Sequence, residues 1–186
     1  MQRNFLFLLG SGRRNGNTEQ LARQAAQYLP ADVPQQWLHL LDLPLPPFED
    51  IRHTVGVYPQ SAGNEKILFD ATLTATDIVF ATPLYWYSVS ASMKLYLDYW
   101  SAWFRVPGAD FRKRMVGKTA WAVTAYSDEG DERLIAPLVS MLRMSADYME
   151  MPWGGVLAGY GNRPGDVLAD AAGIEQAKVF FGRNRL

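Results

Sequence analysis

The sequence predicts an α/β protein built on a five-stranded, doubly wound parallel sheet, and three observations lead there. Five short runs, Phe5 to Leu9, Gln35 to Leu41, Asp77 to Ala81, Lys118 to Tyr126 and Trp153 to Tyr160, alternate with segments of helical period. Each connection between consecutive runs is long enough for the crossover that parallel neighbours require. Two loops suited to holding a ligand, Ser11 to Thr18 and Pro83 to Trp86, follow the first and third runs. Open α/β sheets bind ligands at the carboxyl ends of their strands, and these two loops meet only if the first and third strands are neighbours. Strand order 2-1-3-4-5 makes them so.

The chain of 186 residues is expected to form a single domain over residues 1–186 with a full hydrophobic core. Its 18 basic and 19 acidic residues leave a net charge of −1, which offers no case for nucleic acid or an anionic membrane as partner. Cysteine is absent, so disulfides, thiolate metal sites and a cysteine nucleophile are excluded. Redox chemistry would therefore fall to a bound organic cofactor. No apolar run approaches the ~20 residues of a membrane span, and a cytoplasmic location is expected.

The first run stops at Gly10, a polar loop follows, and Asn17, Thr18 and Glu19 open an amphipathic helix running to about Leu29, before Pro30. Such a loop gathers backbone N–H groups and a helix N-terminus where a phosphate can sit. Arg13 and Arg14 add cations; Ser11, Asn17 and Thr18 add donors. The plainer alternative is a connection in which Asn17 or Thr18 only caps the helix. A nucleoside triphosphate loop would need Gly-Lys-Ser/Thr, and no lysine stands here. The dinucleotide fingerprint would need glycine at Asn15. What remains is a loop for one terminal monophosphate.

Trp37 and Leu38 centre the second strand, and the prolines of Leu43 to Phe48 enforce a loop that continues through His53 and Tyr58 to Gly63, a lid or an interface arm. Neither His39 nor His53 has a partner at metal-ligand spacing, so no metal site is expected. A helix from Asn64 to about Ala75 precedes the third strand, whose unbroken apolar run fits a central position. Pro83 ends that strand, and Tyr85, Trp86 and Tyr87 then sit where they can pack on a flat ring, or else into the protein or a partner subunit. The helix from Ser90 to about Phe104 carries two apolar stripes, Met93-Leu97-Trp100-Phe104 and Tyr96-Tyr99-Trp103. The second stripe is expected to face another subunit. A helix from Glu132 to Met149 repeats the pattern, with Met141, Met144, Tyr148 and Met151 on its spare face, so a homodimer or dimer of dimers is expected. Between these helices, Arg105 to Lys118 reads as a basic solvated loop, with contact to the phosphate of NADPH as the alternative. Residues 161–166 lead from the fifth strand into a last helix ending near Phe181.

Two motifs carry a family resemblance. Ser11-Gly12-Arg13-Arg14-Asn15-Gly16-Asn17-Thr18 resembles the S-x-R-x-x-G-N-T phosphate loop of the flavodoxin-like NAD(P)H-dependent FMN reductases, and the segment from Pro83 through Tyr85 to Lys94 and Asp98 resembles their P-x-Y-x-x-x-x-x-x-x-L/M-K-x-x-x-D signature. The resemblance covers nearly the whole chain. It implies a flavodoxin-like sheet and an FMN site: phosphate on Ser11, Arg13, Asn17 and Thr18, ring against Pro83, Leu84, Tyr85 and Trp86, flavin edge near Ser127 and Gly130. Lys94 would be structural, and Asp166 would cap the last helix. Hydride would pass from NADPH or NADH to FMN and on to a quinone, a flavin or another small-molecule electron acceptor, with no side chain needed as acid or base. The rival readings are a non-enzymatic flavodoxin-type electron carrier and a cofactor-free interaction module. The phosphate loop and the near-neutral charge favour the reductase.

Overall fold

The computed structural model describes residues 2–127 and 132–182. The strands are β1 (Phe5–Leu9), β2 (Gln35–His39), β3 (Asp77–Ala81), β4 (Thr119–Tyr126) and β5 (Trp153–Tyr160). All pair in parallel, in the predicted flavodoxin-like order β2-β1-β3-β4-β5. The helices are α1 (Asn17–Ala26), α2 (Gly63–Thr74), α3 (Ala91–Trp103), α4 (Phe111–Met115), α5 (Ala136–Tyr148) and α6 (Ala171–Val179).

Alternation of side chains along the buried strands supplies two cores. Phe5, Phe7 and Leu9 join Val79, Ala81, Trp121 and Val123 beneath α1 and α6. Leu6, Leu8, Ile78, Phe80, Ala120 and Ala122 face the other way, beneath α2, α3, α4 and α5. β1 pairs Leu9 with His39 on one side and with Ala81 on the other. The Gly10 N–H then donates to the Ala81 carbonyl at 2.8 Å, so the loops leaving β1 and β3 start side by side.

Several expectations are corrected. The basic connection contains the short helix α4, anchored by buried Phe111 and Met115, whose single i,i+4 pair is too brief to show a period. The helix expected from Glu132 starts as a tight 3-10 turn, Glu132–Ile135, and becomes regular at α5, whose first turn accommodates Pro137. The last helix is capped by Asp170, which accepts from the Gly173 N–H at 3.1 Å, and not by Asp166. Asp166 instead accepts from the N–H groups of Asn162 and Arg163 at 3.2 and 2.6 Å and closes the loop after β5.

The stripe Tyr96-Tyr99-Trp103, expected to face a second subunit, is buried by this chain itself. The Tyr96 hydroxyl lies 2.7 Å from Thr72 Oγ1, the Tyr99 hydroxyl donates to the Pro46 carbonyl at 3.0 Å, and the Trp103 indole N–H donates to Glu65 at 2.9 Å. The proline-rich segment folds back over α3, with Phe48 edge-on to Tyr99 and parallel to Tyr58. Of the spare face expected on the later helix, Met144 and Tyr148 remain exposed, whereas Met151 is buried in the core and Met141 packs against it.

Candidate functional site

β1 delivers the polar loop into a crowded position. A Cβ on Gly10 would come within 2.7 Å of Ser90 Oγ and 3.1 Å of Met93, so glycine is needed for the loop to pass over the start of α3. Ser92 Oγ donates to the Gly10 carbonyl at 3.1 Å and fastens that crossing. Within the loop, Ser11 Oγ accepts from the Arg13 N–H at 3.0 Å. Asn15 takes a left-handed conformation, φ 51°, which asparagine tolerates better than most residues. Its N–H donates to the buried Glu19 carboxylate at 2.8 Å, and Arg23 holds the same carboxylate at 2.8 Å.

The helix that follows begins without a side-chain cap, because its first flanking residue is Gly16. Its leading N–H groups and its positive end are left open beside buried Thr18 and Ser11. Among the described residues, the exposed Arg13 guanidinium has no hydrogen-bond or ion-pair partner. Arg14 differs, being ion-paired with Asp42. That hydrogen-bonded pairing raises the Arg14 pKa and holds the Asp42 carboxyl below the usual carboxylate range.

The second wall comes from β3. Buried Thr82 accepts the Ser90 N–H on its hydroxyl at 2.9 Å, and Leu84 is held by the Ala125 carbonyl at 3.2 Å. Tyr85 and Ser88 exchange two backbone hydrogen bonds of 3.0 Å across a two-residue turn in which Trp86 and Tyr87 have φ of 49° and 62°. Asn-Gly is the usual choice for such a turn, and bulky residues there cost roughly 1–3 kcal/mol each. Because the Tyr85 N–H is taken, only the N–H groups of Trp86 and Tyr87 remain free in this turn among the described residues. Trp86 is 95% exposed.

A third wall escaped the sequence reading. Gly161, Asn162 and Pro164, after β5, line the same cleft. Asn17 joins this wall to the first: its amide donates to the Arg163 carbonyl at 3.0 Å and accepts from the Gly165 N–H at 2.9 Å. A Cβ at Gly161 would approach the Asn17 amide nitrogen to 2.7 Å and the Val167 nitrogen to 2.8 Å, so only glycine lets the walls close. The available signal was a Gly-Asn-x-x-Gly run at the carboxyl end of a strand, the end at which the other two loops stand.

The cleft has a volume of about 280 Å³ and brings together Ser11, Arg13, Asn17, Thr18, Pro83, Leu84, Tyr85 and Ser127. Trp86 stands just outside, with Tyr87 and Leu134 in an adjoining hollow of about 170 Å³ that shares Leu84, Tyr126 and Ser127. Gly130 lies outside the described residues. Lys94 is bonded to Asp98 on the face of α3, and the basic residues of α4 sit at the opposite, amino ends of the strands. Among the described residues no group of three or more His, Cys, Asp or Glu could hold a metal ion, and no helix is long and apolar enough to cross a membrane.

These features fit an FMN monophosphate tail and ring. An uncapped helix start, two hydroxyls and a free guanidinium gather at one wall, while Glu19 and Asp42, the carboxylates bonded to that loop, each accept from an arginine. The opposite wall offers proline, leucine and tyrosine surfaces for a flat ring.

The sequence matches the NADPH-dependent FMN reductase family over residues 4–162. YwqN of Bacillus subtilis (strain 168), named as an NAD(P)H-dependent FMN-containing oxidoreductase, is 31% identical over 176 residues, covering 94% of each chain. Among solved structures, the Trp repressor binding protein from Bacillus subtilis superposes with a TM-score of 0.76 at 27% identity, over 97% of this chain and 99% of that one. An FMN-dependent NADH-azoreductase from Bacillus anthracis str. Ames Ancestor, solved in complex with FMN, shares the fold with a TM-score of 0.63 at 10% identity, over 97% and 98% of the two chains.

Proposed function

The chain belongs to the NADPH-dependent FMN reductase family, and from that premise we propose that it reduces a quinone, a flavin or another small acceptor with electrons from NADPH or NADH. The observation that carries this reading is that one cleft holds both the uncapped start of α1 and the Pro83-Leu84-Tyr85 surface. In it, Ser11, Arg13, Thr18 and the first N–H groups of α1 hold the phosphate of FMN. The side chain of Asn17 locks the loops on either side of that phosphate, spending one of its two amide N–H donors on the Arg163 carbonyl and leaving the other, with the backbone N–H, for the ligand. Pro83, Leu84 and Tyr85 support the ring, and the free N–H groups of Trp86 and Tyr87, with Ser127, face its polar edge. Bound there, FMN would supply the two-electron redox chemistry between nicotinamide and acceptor. Among the described residues no histidine, lysine or carboxylate lines the cleft, and the part these residues play is seating and orientation. The enzyme works in the cytoplasm as a homodimer, with exposed Met144 and Tyr148 in the contact.

Anaerobic mixing of the FMN-loaded protein with NADPH tests the reading. Bleaching of the flavin band, reversed by added quinone, is expected. A yellow protein unresponsive to both NADPH and NADH would make it an electron carrier, and failure to retain FMN would refute the site.

A further inference from the structure

A cavity of about 620 Å³, more roomy than the cleft of about 280 Å³ described above, lies at the other end of the sheet. Arg3 and Gly10 are seven positions apart along the first strand, so the two sites are about 23 Å apart by strand rise. Three cations, Arg3, Arg114 and Lys118, line this cavity against one carboxylate, Asp77, a local surplus of two positive charges. The carboxylate is fully engaged. Asp77 is buried and accepts from Arg3 at 2.5 and 3.2 Å, from Thr76 Oγ1 at 2.7 Å and from the Trp121 indole at 3.0 Å. Arg3 and Asp77 therefore neutralise each other.

Among the described residues the other two cations have no counter-ion. Lys118 donates to the carbonyls of Leu73 and Ala75 at the end of α2, which accept its hydrogen bonds but carry no formal charge to pair with it. The Arg114 guanidinium has no partner among the described residues, nor has the Thr119 hydroxyl. Burial, and then the neighbouring Arg114 charge, depress the Lys118 pKa, so the two like charges already oppose one another. Val116 and Pro152 add apolar surface to the same walls. A ligand cavity of this size, with a few convergent polar groups on an apolar lining, has the usual form of a small-molecule site.

We propose that this cavity binds a small organic anion, its carboxylate or phosphate head held by Arg114, Lys118 and Thr119 and its apolar body laid on Val116 and Pro152. Binding would remove the mutual repulsion of the two cations and give Arg114 the charge-assisted hydrogen bonds it lacks. The site is independent of the flavin cleft, so it stands or falls separately from the reductase reading.

The test uses the full-length, FMN-loaded, ¹⁵N-labelled protein, whose phosphate loop is already filled. Benzoate and phenyl phosphate are titrated as probes, with neutral benzamide as control, while the Gly117 amide and Trp121 indole resonances are followed. Saturable shifts with either anion are expected, and the tighter of the two identifies the preferred head. Arg114→Ala, an exposed and unbonded position, should weaken binding about tenfold with the flavin band unchanged. The proposal is overturned if neither anion saturates, if benzamide shifts the same resonances equally, or if Arg114→Ala binds as the parent does.

Discussion

Two adjacent arginines in the first loop have opposite fates, and residue type alone could not assign them. Arg14 is committed to Asp42, 28 positions away, whereas Arg13 has no partner among the described residues and stands at the cleft. Arg13→Ala is expected to weaken FMN binding by roughly 10–100-fold, the worth of a hydrogen bond to a charged group, and Arg14→Ala by much less. Flavin fluorescence titration distinguishes them, and equal losses would move the phosphate away from Arg13. A second residue-scale prediction concerns Tyr96, which burial pushes up to about 12 against an ordinary value of 10.0. Because the folded pKa is raised, the tyrosine's contribution to stability is complete below pH 10 and is lost as pH climbs from 10 towards 12. Tyr96→Phe should cost about 1 kcal/mol at neutral pH, for the lost bond to Thr72, yet flatten the alkaline fall in urea midpoint. An unchanged alkaline slope would mean that another group controls it.

At the scale of elements, the turn after β3 and the clip after β5 are the two devices that shape the cleft. Replacing Trp86-Tyr87 by Asn-Gly should raise stability by about 1–2 kcal/mol in urea denaturation, since it relieves two left-handed aromatic residues. Loss of stability instead would show that those rings pack usefully. Gly161→Ala should do the reverse, costing about 1–3 kcal/mol and loosening FMN, because the added methyl meets the Asn17 amide. The central strands were legible because β1 and β3 are unbroken runs of buried residues between turn signals, and β3 and β5 begin and end where the sequence places them. The covering of α3 was not. Its second aromatic stripe was visible, but the segment that buries it has no periodicity, only prolines and scattered rings, and so left no sign of what it covers.

For the molecule as a whole, the order of the strands was legible because two ligand-type loops far apart in sequence had to meet, and only adjacent first and third strands allow it. The third wall of the cleft was missed for the complementary reason. Its contribution is a glycine's absent side chain and backbone groups, which leave almost no chemical mark in a sequence. A single domain would unfold in one cooperative step. Coincident urea transitions by tryptophan fluorescence and by circular dichroism are expected, and separated midpoints would refute that organisation.

The Asn17 clip also sets a clock on biosynthesis. Its partner, Gly165, lies 148 residues downstream. At translation rates of about 5–20 residues per second, a ribosome needs on the order of 10 s to make that stretch after the phosphate loop is synthesised. Throughout that interval the emerging polypeptide has no finished berth for its vitamin-derived pigment, so coloration of nascent chains should begin only after the fifth strand has cleared the exit tunnel.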